Sequence, residues 1–170
     1  MTTRFFLVLI VLSAVLLAGC ATPVPAPTAT SAEPELVQIT VYFTDSNRYA
    51  AGIPPFETAV FRLVPATSNL PEAVLTEFFK GPSEEERAYG LEAITSGFTG
   101  FSSLEIQDGI ARVYLTGPCV SHGATYTIAQ PVLKNLLQFE GINYVKIYDA
   151  DGVTNQPQGW SNSIPPCLEP

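Results

Sequence analysis

A cysteine, a serine and the chain's only histidine fall within five consecutive residues, Cys119-Val120-Ser121-His122-Gly123. A thiol or hydroxyl activated by an imidazole is the core of a nucleophilic hydrolase, provided the two groups lie within hydrogen-bond reach and a third orients the ring. Ser121 and His122 are adjacent, so their side chains tend to diverge, and the segment lacks the G-x-S-x-G pattern of a nucleophile elbow. Neither a Gly-rich oxyanion segment nor a clear third partner accompanies them. A hydrolase centred on Ser121 and His122, with or without Cys119, stands as an alternative to a structural role. The choice depends on whether Cys119 is a free thiol, and hence on the compartment.

Other groupings carry weaker chemistry. Asp149-Ala150-Asp151-Gly152 begins like a calcium loop, but Trp160 stands where an EF-hand needs its bidentate glutamate. A turn is the simpler expectation there. Glu84, Glu85 and Glu86 point in different directions on a helix and suit its first turn, so no metal site is assigned to them. One histidine and three cysteines do not make a common zinc site, and no cofactor is expected. Arg48, Tyr49, Phe56 and Trp160 occur in expected loops, and arginine with exposed aromatics is the usual composition of a binding anchor. A small-molecule or glycan pocket lined by Tyr49, Phe56 and Trp160 is a second functional alternative.

The amino terminus bears on the compartment. Arg4 precedes the apolar run Phe5–Leu17, which is too short for the roughly 30 Å hydrocarbon core of a bilayer and suits an export signal. The run ends Leu17-Ala18-Gly19-Cys20, which resembles a bacterial lipobox. Residues 1–19 are expected to be a lipoprotein signal peptide and Cys20 the lipidated residue, with two acyl chains giving stable anchorage. Residues 20–35 are rich in Pro, Thr and Ala and lack large apolar side chains, as an extended tether of about 45 Å at ~3 Å per residue requires. Thiols outside the cytoplasm are normally oxidised. With Cys20 acylated, Cys119 and Cys167 remain as an even pair, expected to form a disulfide worth roughly 4 kcal/mol in chain entropy for a separation of 48 residues.

With 16 acidic against 8 basic residues, the formal net charge is −8, and no Lys/Arg cluster occurs. Such a chain repels phosphate backbones, which argues against nucleic acid as a partner. Membrane contact is expected through the lipid alone. Alternation over Val37–Phe43 predicts a strand, Thr44–Phe56 a loop and Ala59–Val64 a second strand. Asn69-Leu70-Pro71-Glu72 opens a helix that stops at Gly81-Pro82, and Ser83 with Glu86 forms a capping box for a short helical piece. Asp108-Gly109 joins two strands, with Leu104 and Ile106 expected inward on the first. A helix within Thr125–Phe139 must start late or kink at Pro131, and Tyr144–Tyr148 is a last strand. The fold class is therefore α+β: one β-β-α-β-β-α-β domain over residues 36–152, a mixed sheet with two main helices on one face. Residues 153–170 form an extension stapled by the disulfide.

Several segments, in order, resemble the GerMN domain, known from a spore-germination protein and from actinobacterial lipoproteins. They are ITVYFTD at 39–45, LVPAT at 63–67, AVLTEFFKGPSEEE at 73–86 with Gly90-Leu91, SLEIQDGIARVYLTG at 103–117 and LLQFEGINYVKIYDADG at 136–152. Pro131 and Tyr114 depart from the family pattern. The resemblance implies a non-catalytic envelope domain, similar in architecture to ring-building domains of sporulation complexes, and supplies no active-site residues. The expected function is that of a lipid-anchored, extracytoplasmic interaction module. It would bind another envelope protein or itself through a free sheet edge or the helix face.

Overall fold

The computed structural model describes residues 34–170, so the signal peptide, Cys20 and the tether as far as residue 33 lie outside the described residues. Strand β1 (Leu36–Asp45) buries Ile39, Val41 and Phe43 on its inner face, the period-2 pattern of a half-buried strand. The expected loop after it holds a short helix, α1 (Ser46–Ala51). Asp45 caps this helix by accepting from the amides of Asn47 and Arg48, and Gly52 closes it at φ 67°. It has no buried face, so hydrophobic periodicity could not reveal it. Strand β2 (Glu57–Pro65) pairs antiparallel with β1 along its whole length.

Helix α2 (Leu70–Lys80) buries Val74, Leu75 and Phe78 against β1, and Asn69 precedes it without a side-chain capping bond. Helix α3 (Glu84–Ala88) opens with the expected capping box between Ser83 and Glu86. The two-residue strand β3 (Leu91–Glu92) then pairs with the end of β1.

The hairpin forms as expected from β4 (Gly100–Gln107) and β5 (Ile110–Thr116), with Asp108 and Gly109 at φ 53° and 74° in the turn. Glycine suits the positive φ at 109; a Cβ there would lie 2.6 Å from the side-chain Nδ2 of the exposed Asn143, which would have to turn aside. Helix α4 (Ala129–Leu136) starts late, which leaves Pro131 in its first turn, and the chain returns as β6 (Tyr144–Tyr148), parallel to β5. Ile106 differs from expectation: it is exposed near the hairpin end of β4, an edge strand whose Phe101 and Leu104 are the residues packed on the core.

The α+β class and its two main helices stand, but the strands divide into two three-stranded sheets, β2-β1-β3 and β4-β5-β6. The mixed character belongs to the second sheet, where β5 is antiparallel to β4 and parallel to β6. The sheets do not merge because α4 occupies the edge of β1 facing away from β2. The buried Asn135 side chain accepts from Tyr42 N–H and donates to Tyr42 C=O, both at 2.9 Å, so its amide replaces a neighbouring strand. Gln138 adds a bond to Thr40 C=O at 3.1 Å. Both sheets and both long helices contribute to one core, in which Phe43 stacks on Phe78 with centroids 5.7 Å apart.

The extension, residues 153–170, lies along the outer edge of β6. Ser163 N–H donates to Val145 C=O at 3.0 Å, and Ser163 C=O accepts from Ile147 N–H at 2.9 Å. Asn162 Oδ1 accepts from Val145 N–H at 2.8 Å. Lys146 is fully buried, and its Nζ donates to the carbonyls of Gln156, Gln158 and Ser161 at 2.6, 3.2 and 3.1 Å. Burial, and secondarily the Arg112 charge, push the Lys146 pKa down. The three carbonyls meet the cost of burying its charge.

Candidate interaction surface

The CVSHG segment holds one end of a disulfide. Cys119 and Cys167 are joined at 1.96 Å between sulfurs and 6.1 Å between Cα atoms, which ties the extension to the segment after β5. Leu168, in the 3₁₀ turn Pro166–Leu168, is buried beside that link. Ser121 Oγ accepts from the Gly123 amide at 3.3 Å, and His122 is exposed with φ 51°. No hydrogen bond joins Ser121 to His122 among the described residues, and the cysteine is consumed in the disulfide. Asp149 acts as a turn former, its Oδ1 accepting from the amides of Asp151 and Val153.

The four expected binding residues part into two places. Tyr49 and Phe56 pack edge to face at 5.3 Å, and a third ring, Tyr126, lies 5.2 Å from Tyr49 and 5.9 Å from Phe56. Tyr126 donates to Glu57 Oε1 at 2.6 Å, so the Thr44 hydroxyl, 3.2 Å away, is the donor to the Tyr126 oxygen. Burial first, and then the Glu57 carboxylate, push the Tyr126 phenol well above its ordinary pKa. The rings pack on one another and on these polar partners. Arg48 Nε and Nη2 donate to the carbonyls of Pro55 and Pro54 at 2.7 and 3.1 Å, closing the loop between α1 and β2. Trp160 is elsewhere, 66% exposed and 6.3 Å from the Tyr144 ring.

The second strand expected over Ala59–Val64 forms as β2, and its outer edge is left open. It is the outermost strand of its sheet and pairs only with β1 among the described residues. The bonds from Asp45 N–H to Phe56 C=O at 2.7 Å and from Ala66 N–H to Glu35 C=O at 2.8 Å identify the bonded pairs of this ladder. Bonded and non-bonded pairs alternate in an antiparallel ladder. Ala59, Phe61 and Leu63 therefore direct N–H and C=O toward the open edge, and their side chains lie together on the outer face. Phe61 and Leu63 are 62% and 66% exposed, and Leu36 and Pro65 extend the apolar strip.

The inner face of β2 is tied to the helices through Arg62. Arg62 makes a two-pronged contact with Glu86, Nη1 to Oε1 at 2.7 Å and Nη2 to Oε2 at 2.6 Å, and its Nε lies 3.9 Å from Glu77. Nη1 also donates to the Phe61 carbonyl at 3.0 Å. The Arg62 hydrogen bonds hold the Glu86 carboxyl down at about 2. Arg62 thus links β2 to α2 and α3. The signal that could have exposed this strip was the alternation of Ala59, Phe61 and Leu63 with Val60, Arg62 and Val64. Both faces are largely apolar, however, so sequence alone does not say which one lacks a cover.

The Germane family, described as sporulation and spore germination, matches residues 40–156. A solved structure, the tandem GerMN domains of the sporulation protein GerM from Bacillus subtilis, aligns with a TM-score of 0.47 at 16% identity, over 75% of this chain and 46% of that one. This chain thus spans less than half the length of that structure. No curated protein matches it. With two thirds of its length inside the family match, the chain belongs to the Germane family of sporulation and spore germination domains.

Proposed function

We propose that this protein is a lipid-anchored envelope protein whose Germane domain is a non-catalytic module for contact with other proteins. The observation that carries the interaction reading is the open edge of β2. A strand with unpaired backbone groups and a row of exposed apolar side chains is a template for strand addition, and natural proteins usually blunt such edges. The Leu17-Ala18-Gly19-Cys20 sequence supports anchorage, and the Pro/Thr/Ala-rich composition of residues 20–35 suits a tether.

One experiment tests both parts. A photoreactive side chain is placed at position 61 or, as a control, at position 105 in the full chain, expressed in a bacterium that processes lipoproteins. Protein adducts are expected from position 61 and not from 105, with Cys20→Ala moving the chain out of the membrane fraction. Equal adduct yield at the two positions removes β2 as the contact surface. Unchanged membrane association of Cys20→Ala removes the lipid anchor.

A further inference from the structure

The two long open sheet edges among the described residues, β4 and β2, are unlike. β4 exposes Ile106, but it also has a bulge between Phe101 and Ser103 and the exposed charge of Glu105, which are usual guards against strand addition. β2 runs nine residues without a register break, and between Glu57 and Pro65 its outer face carries no charge. Its one internal ion, Arg62, lies on the other face and is neutralised by Glu86 of the same molecule. Resting on the interaction reading above, we infer that the occupant of this edge is a second copy of the same chain, paired β2 to β2 in antiparallel fashion about a two-fold axis at Phe61.

The sequence of the strand is complementary to itself in that register. Phe61 faces its own counterpart, Ala59 faces Leu63 so that small meets large, and Glu57 faces Pro65 beyond the apolar strip. On the inner face Val60 meets Arg62. No like charges are brought opposite one another, which matters for a chain of net charge −8. Sliding the pairing by one step, so that residues 59 and 61 face each other, would set the Glu57 carboxylate against Leu63; the Phe61-centred register avoids this. Proline at 65 lacks an N–H and ends the ladder at each side. The Arg62 Nη1 bond to the Phe61 carbonyl gives way in the pair, leaving Arg62 its two bonds to Glu86, while that carbonyl accepts from the second copy. Two three-stranded sheets become one of six strands, with both edge strands enclosed.

Residues 34–170 form one compact unit and serve as the test protein. Light scattering across micromolar to millimolar concentrations is expected to give a dimer mass. Phe61→Glu and Phe61→Lys should each be monomeric with unchanged circular dichroism, and an equimolar mixture should regain the dimer, because only a residue facing itself is rescued by mixing opposite charges. A monomer at every concentration, or a dimer that both variants retain, overturns the inference. So does failure of the mixture to associate when each variant alone is monomeric. If position 61 captures a different envelope protein in cells while residues 34–170 stay monomeric, self-pairing falls and the interaction reading survives; a monomer with no capture removes both.

Discussion

The outer edges of β6 and β2 are treated in opposite ways. Along β6, Ser163 and Asn162 supply backbone and side-chain partners, Lys146 is caged by three carbonyls, and the Cys119–Cys167 link holds the extension in place. Along β2 no segment of the described chain lies, and Phe61 and Leu63 face outward. The far edge of β1 is a third case, sealed by the Asn135 amide instead of a strand. Two edges are sealed by specific devices and β4 carries a bulge, whereas β2 stays regular and apolar; the proposed function assigns contact to that edge.

The contrast can be broken most forcefully at the disulfide. Cys119→Ser with Cys167→Ser is expected to cost about 4 kcal/mol, given a closed loop of 48 positions. Denaturant unfolding measures the loss, and faster amide exchange at Val145 and Ile147, but not at Val41, would place it on the β6 edge. Lys146→Met should cost about 3 kcal/mol, because the carbonyls of Gln156, Gln158 and Ser161 lose their donor. A midpoint shift below a quarter of that would mean the cage contributes little. Asn135→Ala is expected to cost about 2 kcal/mol by leaving both polar groups of Tyr42 unpaired, with exchange accelerated at the Tyr42 amide.

Smaller effects belong to β2. Glu86→Gln should cost about 1–2 kcal/mol at neutral pH. The folded carboxyl sits at about 2, below its ordinary value of 4.5, so its stabilisation is complete above 4.5 and disappears as pH falls through about 2. Unfolding curves of the variant and the parent should therefore converge over that window, and a difference that persists at low pH would contradict the assignment. Phe61→Thr should change monomer stability by less than about 0.5 kcal/mol, since the ring is mostly exposed, while abolishing edge pairing. A large loss of monomer stability would show that Phe61 is covered by its own chain.

Local signals were decisive where a structure depends on residues a few positions apart. Ser83 and Glu86 form their capping box, Asp108-Gly109 forms its turn, and Pro131 sits in a first helical turn, because each follows from backbone preferences or reach within one turn of chain. The pairing of Cys119 with Cys167 followed from parity once the first cysteine was given to lipid. The aromatic anchors were half legible: Tyr49 and Phe56 do meet, yet Tyr126 joins them across 70 residues or more, and Trp160 does not.

By itself, then, the sequence determined the α+β class, the order of the long elements, the family, the disulfide pair, the Ser83 capping box and the Asp108-Gly109 turn. Tertiary structure alone decided that the strands form two sheets, that a helical asparagine completes β1, that Lys146 is enclosed and that the outer face of β2 is bare. The reason is physical. Propensities, caps and turns are set by neighbours along the chain, whereas the Asn135–Tyr42 contact spans 93 positions and an edge is open or closed only according to what packs beside it.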